Sequence, residues 1–72
     1  MDIKQKMGMR IKELRVKAGI SQERLAFKAD LDRTYINSVE NGKRNISIKN
    51  IQKIAQALSI NLSDFFNSSS FK

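Results

Sequence analysis

Apolar residues recur at helical spacing in four stretches and crowd together in a fifth. Met7, Ile11, Leu14 and Ala18 are separated by four, three and four positions. This amphipathic stripe predicts a first helix over 7–18. Gly8 inside the pattern costs about 1 kcal/mol relative to alanine, so the helix is expected to begin near Met7 with residues 1–6 loose. Gly19 ends it, and Ile20 can pack as a staple against the next helix. Leu25, Ala26 and Ala29 give a narrow apolar face to a second helix over 22–29. Ser21 is its N-cap, and Glu23 puts negative charge on its first turn. Ala26 is small enough for another helix to cross closely. Ile36 and Val39 turn inward on a third helix over 33–41, capped by Asp32 and closed by Gly42. Ile48, Ile51, Ile54, Ala55 and Leu58 predict a fourth helix over 48–58 behind the cap Ser47. Ser63 caps a short fifth helix over 63–67, and the polar tail Ser68–Lys72 is expected to fray unless Phe71 crosses to a partner. The pattern contains no strand signal. It predicts a compact all-α fold of five helices in one domain spanning 1–72.

Ser21 to Glu40 organises this arrangement, because it places two short helices on either side of a tight turn. Such a reversal needs one residue at positive φ. Glycine does this best, and Asp30 is the residue here that tolerates it. With Gln22 at the start, Ala26 four later, the turn at Asp30, and then Ile36 and Val39, the stretch resembles the helix-turn-helix of the lambda-repressor-like family. The family's usual turn glycine is replaced by Asp30.

Composition narrows the chemistry. Seventy-two residues contain no cysteine and no histidine. Disulfides, thiolate or imidazole catalysis and the common zinc ligand sets are therefore absent. The acids are not clustered, and Asp30 and Asp32 are explained by turn and cap. No cofactor or metal is expected. Without a nucleophile–base pair, neither is an enzyme. The formal charge is +7, with eleven Lys or Arg against six acids in 1–44 and three against one in 45–72. So basic a small domain points to a polyanion. No apolar run reaches the ~18 residues of a membrane span and no signal peptide is visible, so a cytoplasmic location is expected. A domain this short buries only about 60% of its unfolded surface, and dimerisation would help it.

In a helix-turn-helix the second helix enters the major groove of double-stranded DNA, and its first residues meet the base edges. Arg33 can donate twice to guanine O6 and N7. Thr34 offers a hydroxyl or a methyl, and Asn37 and Ser38 follow one turn on. Tyr35 can contact phosphate or rest against a flexible base step. Gln22 is expected to hold a phosphate at the N-terminus of the second helix. The loop 41–47 supplies Lys43, Arg44, Asn45 and Ser47 as further phosphate donors, and Lys49 and Asn50 open the next helix beside it. Arg15 lies near the inward face of the first helix. In the family resembled, an arginine here pairs with the acid at the end of the recognition helix, which matches Glu40. The expected ion pair is partly buried. Leu58, Ile60, Leu62, Phe65 and Phe66 are too much apolar surface for a small monomer to hide. They read as a two-fold dimer contact, with one phenylalanine closing the core and the other facing a partner.

The run Asp32-Arg33-Thr34-Tyr35-Ile36, then Glu40, then Arg44-Asn45 with Ser47-Ile48, resembles the small controller proteins of restriction–modification systems. The resemblance covers nearly the whole chain. It implies a homodimeric transcription factor that binds operators upstream of its own and the endonuclease gene, activating at low occupancy and repressing at high. It assigns base readout to Arg33, Thr34 and Tyr35 and DNA contact to Arg44, with RNA polymerase a further candidate partner. The chain's length leaves no space for a ligand-sensing domain, so its own concentration is the expected input. A phage-type repressor and an antitoxin-type autoregulator share the fold. A protein-interaction module using the Phe65/Phe66 patch is the alternative outside DNA binding.

Overall fold

The computed structural model describes all 72 residues. Five helices follow one another as α1 (Ile3–Lys17), α2 (Gln22–Ala29), α3 (Arg33–Glu40), α4 (Ile48–Ala57) and α5 (Leu62–Phe66), before a single 3-10 turn at Ser69–Phe71. No strand is present.

α1 begins four residues earlier than the apolar stripe suggests. Asp2 accepts a hydrogen bond from the Gln5 backbone N–H at 2.9 Å, while Gln5 Oε1 accepts from the Asp2 N–H at 3.1 Å. This reciprocal capping box satisfies two end donors and stabilises the added turn. Gly8 is not a weak point in the helix. A Cβ there would lie 2.2 Å from the Val39 carbonyl oxygen and 2.8 Å from that of Glu40. Its propensity cost is what lets α1 lie directly on the C-terminal end of α3.

α2 and α3 start at their expected caps. Ser21 accepts from the Arg24 N–H, and Asp32 from the Thr34 N–H. Between the two helices Asp30 is left-handed, at φ 56° and ψ 48°. The Leu31 N–H reaches back to the Ala26 carbonyl at 2.8 Å, which closes the turn. α4 ends on a second non-glycine left-handed residue, Ser59 at φ 59°. The stripe did not signal this residue. α5 is capped by Asn61, whose side chain accepts from the Asp64 N–H, and not by Ser63. The helix therefore starts one residue early, at Leu62.

The core holds Met7, Ile11, Leu25, Ala26, Ala29, Ile36, Val39, Ile51, Ile54, Ala55 and Phe65. Three apolar residues depart from expectation. Ala18 is the exposed C-cap of α1. Ile48 is 86% exposed, because a side chain at the first position of a helix tilts beyond its N-terminus and past the core. Phe65 is fully buried inside the monomer, which removes it from the dimer contact. The tail is ordered as the 3-10 turn. Phe71 packs against the core and meets Phe66 edge to face at 5.3 Å. It does not need a partner to be covered.

Candidate nucleic-acid interface

The interface is built from the N-terminal half of α3 and the segments packed beside it. Arg33 and Thr34 stand exposed on the first turn of α3, because Asp32 stops the preceding turn and starts the helix there. Arg33, Thr34 and Asn37 share one shallow depression. Ser38 is half-buried on the flank of α3. The chain has only two ion pairs, Arg10–Glu13 and Arg15–Glu40. Arg33, Lys43, Arg44 and Lys49 are thus exposed cations with no internal carboxylate partner. Such charges are available to phosphate or to a base edge.

Tyr35 gathers the second group. Its ring is half-buried against the core, and the Arg44 guanidinium stacks over it at 5.2 Å from the centroid. Its hydroxyl accepts a hydrogen bond from Asn50 Nδ2 at 3.0 Å. One aromatic residue therefore joins α3, the loop after it and the start of α4. Asn50 spends one amide N–H on Tyr35 and keeps one. Ser47 accepts from the Asn50 backbone N–H as the α4 cap, and its hydroxyl hydrogen remains free to donate. Asn45 is exposed, and it also lines an apolar groove with Ile3, Lys4, Met7, Ile46, Ile51 and Phe66. That groove shares no other residue with the reading face.

Beneath the face lies the pair of Arg15 and Glu40. Arg15 Nε donates to Glu40 Oε2 at 2.7 Å and Nη2 to Oε1 at 3.1 Å, and Nη1 donates to the Ile20 carbonyl at 2.9 Å. The Glu40 side chain is 1% exposed and that of Arg15 12%. The hydrogen bonds to Glu40 raise the Arg15 guanidinium above the ordinary arginine value. Burial opposes this, and the charge of Glu40 adds to it. A cation whose folded pKa is raised contributes stability that is complete below its unfolded pKa. That stability is lost only as pH rises through the folded value, far above neutrality.

Gln22 differs from expectation. Its Nε2 donates to Glu40 Oε1 at 3.0 Å, and its Oε1 accepts from Asn37 Nδ2 at 3.1 Å. Asn37 Oδ1 in turn accepts from Asn41 Nδ2 at 3.2 Å. A carboxylate only accepts, so Glu40 fixes which way the Gln22 amide points and, through it, the Asn37 amide. The Gln22 amide spends one N–H on Glu40 and keeps one. A phosphate at this end of α2 would find that remaining N–H beside the Gln22 backbone N–H, one of the first-turn donors without an intrahelical partner. Of this amide chain the sequence signalled only the i, i+4 spacing of Asn37 and Asn41.

Residues 11–65 match the family model described as helix-turn-helix. A control protein of a Mycoplasma species, C.MunI, is 51% identical over 67 residues, covering 92% of this chain and 90% of the relative. The crystal structure of the restriction–modification controller protein C.AhdI from Aeromonas hydrophila is 49% identical, with a TM-score of 0.84 over 88% of this chain and 96% of that one. The controller protein C.Esp1396I, solved as a tetramer with its natural 35 base-pair operator, is 38% identical with a TM-score of 0.86, covering 92% of this chain and 87% of that one. The chain belongs to the helix-turn-helix family and, within it, to the controller proteins of restriction–modification systems.

Proposed function

We propose that the protein acts as such a controller. It binds operator DNA upstream of its own gene and the endonuclease gene as a homodimer, and it regulates their transcription in the cytoplasm. The observation that carries this reading is the unpaired Arg33 beside Thr34 on a recognition helix whose underside is locked by Arg15 and Glu40. Arg33 donates bidentately to a guanine, a contact worth about 1–3 kcal/mol of discrimination. Thr34 reads the neighbouring base. Tyr35 positions Arg44 at the backbone and supports the bases from below. Lys43, Arg44, Asn45, Ser47 and Lys49 take phosphates, with Asn50 contributing its remaining N–H. Asn37 and Ser38 are secondary. Leu58, Ile60, Leu62 and Phe66 form the dimer surface, with Leu62 45% and Phe66 40% exposed.

Fluorescence titration of DNA from upstream of the gene against random duplex, across a salt series, tests the reading. The expected result is a preference of about 10³ or more for the upstream DNA. Equal affinity for both duplexes at every salt concentration would refute it.

A further inference from the structure

α5 contains five residues, Leu62–Phe66. A helix that short has no independent stability and must be held by what surrounds it. Of its last carbonyls, that of Asp64 accepts from the Asn67 N–H at 3.2 Å and that of Phe66 from the Ser68 N–H at 2.9 Å, while that of Phe65 has no backbone partner. Arg10 of α1, more than fifty residues away in sequence, supplies one for Phe65 and a second donor for Asp64. Arg10 Nε donates to the Phe65 carbonyl at 2.7 Å and Nη2 to the Asp64 carbonyl at 2.7 Å, with a longer contact at 3.5 Å to that of Asn67. The remaining arm of the guanidinium pairs with Glu13 one turn along α1. The Arg10 side chain is 13% exposed, so the cation is held in the protein against the negative end of a helix.

We infer that Arg10 is a positioning residue for dimerisation. It clamps the C-terminal end of α5 to α1 and so sets the angle at which Leu62 and Phe66 are presented to a second copy of the chain. Phe65 explains why a clamp is needed. Its ring is fully buried and anchors α5 from within, while Phe66 is 40% exposed and meets Phe71 edge to face, so these apolar contacts alone leave the helix free to pivot. The guanidinium bonds the Phe65 carbonyl itself and one on either side, which removes that freedom. Arg10 contacts no part of the DNA-reading face. The clamp therefore acts on assembly and leaves base reading unchanged. This inference rests on the homodimer reading above.

The test uses the full chain with Arg10→Met, which keeps the aliphatic stem and removes every donor. Arg10→Lys keeps the charge and loses the fork. Three readouts are compared with the wild type: the dimer dissociation constant by sedimentation equilibrium, amide exchange along the chain, and operator titration. Arg10→Met should raise the dimer constant at least about tenfold. Exchange should quicken in α5 and not in α2 or α3. The midpoint of operator binding should move to higher protein concentration, while the saturated complex keeps its preference for operator and its salt slope. Arg10→Lys should fall between the two proteins, and it carries the test if the methionine variant does not fold. An unchanged dimer constant with unchanged α5 exchange overturns the clamp. Loss of operator preference at saturation also overturns it, by showing that Arg10 acts through the DNA face. A wild-type chain that stays monomeric would instead remove the homodimer reading, and the α5 exchange comparison would then decide the clamp alone.

Discussion

The two ends of the molecule are held by opposite means. The recognition hairpin of α2 and α3 is finished within the monomer. Its caps are filled, its turn is closed, and a buried carboxylate orders three amides and a guanidinium beneath the reading surface. The α5 end is incomplete. It buries one phenylalanine, leaves Leu62 and Phe66 partly in water, and relies on a distant arginine for the Phe65 carbonyl. The difference matters for a regulator that works as an oligomer on operator DNA. A rigid reading head keeps specificity constant, while an unsatisfied apolar end makes occupancy depend on concentration.

The recognition hairpin is most vulnerable at the buried pair. Arg15→Ala strands Glu40 without its charge partner and should cost about 3–5 kcal/mol, read as a large drop in thermal midpoint. An unchanged midpoint would show that the pair carries no stability. Gly8→Ala should cost about 1–3 kcal/mol, because the new methyl meets the Val39 carbonyl and α1 must lift from α3. Chemical denaturation measures it, and a neutral result would mean that the helices yield freely. At the other end, Leu62→Ser should leave the helical content of the monomer intact. It should weaken dimerisation about tenfold or more in sedimentation equilibrium, and an unaltered dimer would move the interface elsewhere. The smallest effects belong to the left-handed positions. Asp30→Gly and Ser59→Gly should each stabilise by up to about 1 kcal/mol, since glycine relieves the positive φ at the expense of a more flexible unfolded chain. Destabilisation by Asp30→Gly would mean that the aspartate has a bonded role beyond the turn.

What the sequence revealed follows the same division. The hairpin is written in short-range signals. Ser21, Asp30 and Asp32 are separated by a few residues from what they cap or turn, and Ile36 and Val39 sit three apart, so the two helices and their junction are legible from spacing alone. Arg15 and Glu40 were legible through family resemblance, since nothing local links residues 25 positions apart. The α5 end is written in long-range contacts. Asn61 and Ser63 both make plausible caps, and only packing chooses between them. Which phenylalanine is buried depends on where α5 lies against α1 and α4. Arg10 carries no local sign of its role, because its carbonyl partners lie in the last ten residues of the chain. The bonds of Gln22 to Glu40 and Asn37 were illegible for a similar reason. Its neighbour in space is a buried carboxylate 18 positions away in sequence.

Base reading by Arg33 is the central claim, and operator selectivity of Arg33→Ala tests it most directly. The variant should fold and dimerise as the wild type does, because Arg33 is exposed and bonds nothing within the chain. It should lose about 1–3 kcal/mol of preference for upstream over random DNA per subunit, with the salt slope nearly unchanged. Retained preference with a shallower salt slope would contradict the account and reassign Arg33 to the phosphate backbone.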